Sequence, residues 1–418
     1  MKKNGFTLVE ITVCVVLLVT IFLIVVPKVN TMINNKKKNA YNSLISTVKD
    51  AAQAYVYLNV NIVDDAIESQ GYYEVSIRTL QENELLENKL ENPLTGKNIP
   101  STSIVKIIKN NEEYIYKFSL DYQYLLEHII DLYSSEETRI SNGLKKDNTP
   151  DQNIRYYGSD PNNYVSFNNE LWRIIGVFGN NVKLVRKDSL GSLSWDSSES
   201  SINGGFGVNE WSQSDLKNYL NTMYYGGTTV TCYGGTKNST TTCPTNILDN
   251  TAKTLIDNHT WNTGAIEYNT RTDTVAFYKY ERGNQTGKIC NGGTFCSDTV
   301  ERTTTWTGYI GLPYPTDYAY ASGENICETN MVKQDSSDAY ICENNNWMFK
   351  SIWYWTLSPF ARSANSRYVW YVNGDGDVNN SNAASGGAVF PAIYLKSNVL
   401  IESGNGTSSN PYILKAGS

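Results

Sequence analysis

Apolar residues dominate the start of the chain, and a periodic pattern follows them. From Phe6 to Val26 the only charged residue is Glu10. A helix of that length rises about 30 Å, which matches the hydrocarbon core of a bilayer. Further along, apolar residues recur at three- and four-residue steps, as on one face of an amphipathic helix: Val48, Ala51, Ala52, Tyr55 and Leu58. The pattern predicts a membrane-spanning helix that continues as a long spine over residues 6–58.

Alternating patterns later in the chain predict strands. Two apolar runs, 104–108 and 114–118, flank the turn-forming residues 110–112 and predict a hairpin within a small sheet at 59–120. Residues 121–153 predict a short helix and a polar linker. Residues 154–418 predict a separate module. They contain apolar runs on both sides of a turn at Gly179, long loops with paired cysteines, and further strands near the C-terminus.

The residues around the first glycine carry a more specific signal. Lys2-Lys3-Asn4-Gly5 before Phe6-Thr7-Leu8-Val9-Glu10 resembles the prepilin signal of type IV pilins and type II secretion pseudopilins. The resemblance implies a leader at 1–5, cleavage by prepilin peptidase between Gly5 and Phe6, and N-methylation of Phe6. It also implies that Glu10 neutralises the α-ammonium of a neighbouring subunit during assembly, and that Pro27 kinks the helix.

Two other interpretations of this terminus remain open. One is an ordinary membrane anchor that tolerates an acid near its end. The other is a secretory signal peptide, which fits less well because its apolar region is shorter and ends at a small-residue cleavage site. Lysines are more numerous after the apolar run than before it, so the charge count does not by itself favour an inside N-terminus.

Aromatic and proline motifs in the last part of the chain carry a second resemblance. They are Leu171–Gly176, Trp195, Trp211, Trp355–Pro359 and Val389–Ala392. These residues resemble C-type-lectin-like modules of the formylglycine-generating-enzyme-like kind, found in bacterial surface proteins. The expected fold is α+β: a long N-terminal transmembrane spine helix packed on a small antiparallel sheet, then a larger, irregular α+β lectin-like domain at 154–418.

Charge and cysteine usage narrow the class of protein. A net charge of −7 and a pI near 5.1 argue against nucleic acid as the main partner. Six cysteines fall in close pairs and predict local disulfides in an exported protein: Cys232 with Cys243, Cys290 with Cys296, and Cys327 with Cys342. Zinc is the alternative, but no C-x-x-C spacing supports it.

One stretch, 361–387, combines aromatic, arginine and short polar residues, the mixture of evolved binding surfaces. If Val369 and Tyr371 point inward, the exposed ligand surface contains Arg367, Tyr368, Trp370 and Asp375. The alternative is that this strand simply packs into the core. Its alternating Asn and Asp residues at 373–379 favour a hairpin turn and leave a calcium loop open.

Catalytic signals are scarce. The two histidines, His128 and His259, lie near no nucleophile motif, and no phosphate-binding loop occurs. We therefore expect no enzyme, cofactor or metal. The expected function is a minor pilin or pseudopilin that displays an extracellular adhesion module able to bind a glycan or protein. Alternatives are a DNA-uptake or secretion pseudopilin whose module is only a tip or plug, and a pilin-anchored surface enzyme.

The implied partners are prepilin peptidase, other pilin subunits and the inner assembly machinery. The implied location is the cell membrane, single-pass, with the N-terminus cytoplasmic and the later domains extracellular, followed by a surface filament.

Overall fold

The chain folds into two compact units. The computed structural model describes residues 36, 39–93, 98–110, 113–119, 123–198, 205–266, 273–282, 303–332, 341–361 and 367–417. The first unit ends at Gln123, and the second unit runs from Tyr124 to Gly417.

In the first unit, helices pack against a three-stranded sheet. The helices are α1 (39–58), α2 (Val60–Gln70) and α3 (Ile77–Glu82), and the strands are β1 (Tyr73–Ser76), β2 (Ile104–Asn110) and β3 (Glu113–Ser119). The sheet is antiparallel in the order β1-β2-β3. Its core joins Val48 and Ala52 of α1 to Val105 and Ile107 of β2. The predicted hairpin is confirmed, because Asn110 pairs with Glu113 next to the turn.

The predicted spine helix requires a correction. Helix α1 ends at residue 58, where the pattern places the end of the spine, and Asn59, with a φ of −130°, separates it from α2. Leu58, expected on the buried stripe, is 64% exposed. Across the described ranges, no helix combines the length and the apolar character needed to cross a bilayer. The described part of α1 has one apolar face and one polar face, as suits a helix packed on a sheet. The run from Phe6 to Val26 lies outside the described residues.

The second unit contains two larger sheets and short helices. Its strands are β4 (Gln123–Tyr124), β5 (Leu144–Lys146), β6 (Ile154–Tyr156), β7 (Tyr164–Phe167), β8 (Glu170–Phe178), β9 (Asn181–Arg186), β10 (Ser192–Ser194), β11 (Cys232–Tyr233), β12 (Thr240–Thr241), β13 (His259–Asn262), β14 (Thr305–Gly308), β15 (Ile310–Gly311), β16 (Tyr354–Pro359), β17 (Tyr368–Val372), β18 (Val378–Asn382), β19 (Gly386–Ala388), β20 (Ala392–Leu395), β21 (Val399–Ser403) and β22 (Tyr412–Ala416). Its α-helices are α4 (Leu125–Ser134), α5 (Glu136–Ser141), α6 (Asp215–Asn218), α7 (Asn250–Leu255), α8 (Thr274–Glu281), α9 (Pro315–Ala321) and α10 (Ile326–Thr329). A 3₁₀ turn at Trp211–Gln213 precedes α6, and a π-helical segment at Tyr219–Tyr225 extends it.

The two sheets share one core. The ten-stranded sheet has the order β15-β20-β9-β8-β7-β22-β21-β4, with β6 paired to β8 and β5 paired to β6. The five-stranded sheet has the order β10-β19-β16-β17-β18. Six tryptophans are fully buried in this core: Trp172, Trp195, Trp211, Trp261, Trp355 and Trp370. The unit therefore buries an apolar interior of its own.

The β8–β9 hairpin forms the centre of the larger sheet and depends on two glycines. Gly179 has a φ of +57° at the turn, a conformation that costs glycine little. At Gly176, a Cβ would lie 2.1 Å from the carbonyl oxygen of Ile154. Only glycine lets β6 approach β8 this closely.

Residues 121–153, predicted as a helix and linker, belong almost entirely to the second unit. The helix is present as α4, but the polar stretch after it contains α5 and β5, and β5 pairs with β6. Asp147 is buried, and its carboxylate accepts hydrogen bonds from Thr149 and Asn153. These polar residues satisfy one another inside the fold, so the stretch is not a free linker, and the unit begins about 30 residues before the predicted boundary.

Candidate functional site

A solvent-facing cleft in the second unit has a volume of about 420 Å³, within the usual range of small-molecule sites. Five separate segments contribute to it. Its lining residues are Asp151, Asn153, Phe178, Gly179, His259, Asn262, Tyr278, Arg282 and Tyr394.

Arg282 and Tyr278 form the charged wall of the cleft. The guanidinium lies 3.3 Å from the centre of the Tyr278 ring. The Tyr278 hydroxyl donates to Asp151 and accepts a 3.1 Å hydrogen bond from Asn153. Burial raises the pKa of Tyr278 to about 12, so the hydroxyl keeps its proton. The Asp151 side chain is 57% exposed and can accept hydrogen bonds from a ligand.

His259 and Tyr394 form the facing aromatic wall. Their rings stack with centroids 3.7 Å apart. The Nδ1 atom of His259 lies 3.1 Å from a carboxylate oxygen of Asp257. Burial lowers the pKa of His259 even though Asp257 opposes that shift, so the imidazole is neutral near pH 7. Its charge is therefore not part of the binding surface at neutral pH.

Behind the cleft lies a chain of four buried charged side chains, here named the buried charge network: Asp147, Arg155, Lys183 and Asp317. Arg155 donates to Asp147 at 2.8 Å and to Oδ1 of Asp317 at 2.6 Å. Lys183 lies 2.5 Å from Oδ2 of Asp317. Two positive and two negative groups balance, which is the condition under which buried charge is tolerated.

Helix α9 positions the central acid of this network. Pro315 occupies the first turn, where its missing N–H is not needed. Asp317 reaches back so that Oδ2 accepts a 2.9 Å hydrogen bond from the backbone N–H of Tyr314. Burial raises the pKa of Asp317, but the charges of Lys183 and Arg155 outweigh burial and hold it below its ordinary value.

A further acid, Glu281, is fully buried at the end of α8. Burial raises its pKa to about 7, while the adjacent Arg282 charge opposes the shift. Its carboxylate oxygens accept from the Thr316 hydroxyl and from Arg282 at 3.2 Å. The ion pair of Glu281 and Arg282 therefore links the cleft wall to the interior of the unit.

The cleft offers hydrogen-bond donors, acceptors and aromatic surface in one small volume. Arg282, Asn153 and Asn262 supply polar groups, and Phe178 and Tyr394 supply ring surface. Such a combination is suited to a small polar ligand with an apolar face.

Two of the three predicted cysteine pairs form disulfides. Cys232 is bonded to Cys243, and Cys327 to Cys342. The first disulfide cross-links the β11–β12 ribbon, in which Cys232 pairs with Thr241. Cys290 and Cys296 lie outside the described residues, as do Gly5, Phe6, Glu10 and Pro27, so the processing and assembly sites are not described.

The predicted ligand surface needs a correction at Trp370. This side chain is fully buried, and its ring packs 5.0 Å from Phe277 and 4.9 Å from Phe360. Val369 is buried as well, so both faces of β17 are covered and the expected alternation does not hold. Trp370 is therefore a core residue.

The other three predicted surface residues differ in their surroundings. Arg367 and Tyr368 are half-buried, and the Arg367 guanidinium donates to the Tyr368 hydroxyl at 3.0 Å. Asp375 is exposed in the turn between β17 and β18. That turn closes a hairpin in which Val372 pairs with Val378, as the turn interpretation predicted. Asp377 is buried and accepts from Asn373 at 2.9 Å.

The sequence interpretation missed the cleft. His259, which lies near no nucleophile motif in the sequence, is on β13, where Trp261 pairs with Trp306. His128 is held by the Tyr412 hydroxyl at 2.8 Å and does not line the cleft. A local signal existed only for the network behind the cleft, because Lys183 interrupts an apolar strand.

Comparisons with protein-family models, with curated proteins and with solved structures found no match to this chain.

Proposed function

We propose that the chain is a minor pilin or pseudopilin of a type IV pilus-like or type II secretion-like filament, and that its second unit is an extracellular recognition module. The prepilin-like residues from Lys2 to Glu10 support the filament role. The two disulfides support an oxidising location outside the cytoplasm. Prepilin peptidase, fellow subunits and the assembly machinery are the partners this role requires.

The observation that supports recognition most is the cleft itself. Asp151, whose side chain is 57% exposed, lies 3.8 Å from Arg282 on the open side of the cleft, and the deeper charges of the unit are paired with one another. A glycan or a protein segment presents the hydroxyl, amide and apolar groups that such a cleft can contact. Binding at this cleft would distinguish an adhesion module from a tip or plug, and ligand turnover would indicate an enzyme.

Blocking the leader cut tests the filament role. Changing Gly5 to Ala or a bulkier residue should leave an uncut precursor that still begins at Met1, because the glycine after which the peptidase cuts is lost. Mass spectrometry of sheared filaments should find wild-type subunits that begin at a methylated Phe6. Assembled filaments whose subunits keep Met1 would refute the processing.

Substitution of two aspartates, one in the cleft and one on the surface predicted at 367–375, tests which of the two sites binds the ligand. A fragment of residues 124–418, which keeps α4, α5 and Asp147, should be screened on arrays of glycans and surface proteins. With the best ligand found, Asp151→Ala should weaken binding about tenfold or more, since a hydrogen bond to a charged group is worth roughly 1.5–3 kcal/mol. Asp375→Ala, an equally small change at an exposed turn, should bind as the wild type does.

Two results would contradict the assignment of the ligand to the cleft. Loss of binding in Asp375→Ala with no loss in Asp151→Ala would place the ligand on the β17–β18 turn. No binding to any array member by the folded fragment would favour the tip or plug role. Circular dichroism of each variant provides the control for folding.

A further inference from the structure

The surroundings of Lys183 and Asp317 suit a reaction between the two side chains as well as an ion pair. Both side chains are fully buried, and Nζ lies 2.5 Å from Oδ2. Aromatic rings enclose the amine, with the centre of the Tyr314 ring 4.1 Å away and those of Trp261 and Tyr394 each 5.4 Å away. An amine and a carboxyl group held together without water have a very high effective concentration.

We propose that Lys183 and Asp317 condense to an intramolecular isopeptide bond, a covalent cross-link between β9 and α9. The bond joins Nζ of Lys183 to Cγ of Asp317, and Oδ2 leaves as water. It depends only on the interior of the second unit, so it stands or falls independently of the filament and of any ligand.

The protons and electrons of the condensation balance within the pair. The ammonium of Lys183 gives one proton to Oδ2 of Asp317, which produces a free amine and a carboxylic acid. The amine lone pair attacks Cγ, and the electrons of the C=O bond move to Oδ1. A second proton passes from nitrogen to Oδ2, the Cγ–Oδ2 bond breaks, and water departs. One hydrogen stays on the amide nitrogen, and no oxidant or other reactant is needed.

The side chains around Lys183 and Asp317 favour the steps of the condensation. Burial lowers the pKa of Lys183 to about 8, although Asp317 opposes the shift, so the free amine is accessible near neutral pH. Arg155 donates to Oδ1 at 2.6 Å, at the oxygen on which negative charge develops. Glu281 is close enough for its charge to act on both partners.

The electrostatic balance of the interior also survives the reaction. Condensation removes one positive and one negative charge together. Arg155 then keeps its 2.8 Å pair with Asp147, and the new amide oxygen can still accept from it. The product therefore leaves no unpaired charge in the core, and it removes the cost of keeping one ion pair desolvated.

A second lysine pair provides the matched control. Lys145 lies 2.7 Å from Glu328, but the two side chains are 19% and 17% exposed. Partial exposure leaves this pair open to water, which opposes condensation. This pair should stay ionic.

Intact mass spectrometry of the full chain, reduced and denatured, tests the bond. The wild type should be lighter than its processed sequence by one water molecule, and digestion should give one branched peptide that contains Lys183 and Asp317. Lys183→Arg should restore the full mass, because a guanidinium is a poor nucleophile. Lys145→Arg should keep the deficit. Since the chain is measured unfolded, a variant that folds poorly does not prevent the comparison.

Three outcomes would overturn the proposal. They are a wild-type chain at its full mass, a water deficit that peptide mapping places elsewhere, and a deficit that persists in Lys183→Arg. The first would show that the pair remains an ion pair.

Discussion

Replacing Asp317 with alanine should lower the free energy of unfolding of the second unit by at least about 3–5 kcal/mol, the usual cost of removing one partner from a buried charge pair, since the variant also cannot form the Lys183–Asp317 cross-link. Asp317 contacts two fully buried cations, Lys183 at 2.5 Å and Arg155 at 2.6 Å. Without it, Arg155 loses one of its two carboxylate partners, and Lys183 loses the group that offsets the cost of burying its amine. The substitution also removes the acceptor for the backbone N–H of Tyr314 at the start of α9.

Urea unfolding of the fragment 124–418, followed by tryptophan fluorescence, measures this loss. All nine tryptophans of the chain lie in this fragment, so the fluorescence reports its unfolding as a whole. The control is Glu328→Ala, which breaks the partly exposed pair with Lys145 and should cost about 1 kcal/mol or less. Equal losses in the two variants would show that burial of the network does not set its contribution.

Local patterns predicted the elements whose partners are close in sequence. The β2–β3 hairpin followed from two apolar runs around a short polar turn, and its register places Asn110 opposite Glu113. The disulfides of Cys232 and Cys327 followed from close spacing. In each case the turn or loop brings the partners together, so the sequence carries most of the information.

Contacts between residues far apart in the sequence determine the features that local sequence patterns did not predict. Asp147 looked like part of a polar linker, yet Arg155 of β6 and the neighbouring Asn153 draw it into the core. Lys183 lies between the buried residues Val182 and Leu184 of β9. Its partner Asp317 is 134 residues away, and no local pattern connects the two.

The cleft illustrates the same limit. His259 and Arg282 come from a strand and the end of a helix, and Asp151 comes from the loop before β6. None of these residues belongs to a spaced motif, because the fold and not the local sequence brings them together. A single sequence offers no co-variation from which the grouping could be inferred.

Replacing Trp370 with alanine should unfold the second unit at much lower denaturant concentration, since removing a buried tryptophan costs about 3–5 kcal/mol. Its indole contacts Phe277 and Phe360, and its Nε1–H donates to the carbonyl of Ile266 at 3.3 Å. The cavity would open between β17 and α8, where neighbours on both sides are fixed by their own elements. The strand pattern alone predicted an exposed residue whose loss affects only binding.

Asp375→Ala is the matched test of these two interpretations, because it lies on the adjacent turn and is exposed. Its unfolding midpoint in urea should equal that of the wild type, whereas Trp370→Ala should shift the midpoint strongly. A Trp370→Ala fragment as stable as the wild type, with ligand binding lost, would support the surface role instead. Burial on both faces of β17 argues for the core role: Val369 fills one side and Trp370 the other, so neither face of the strand is left for a ligand at that position.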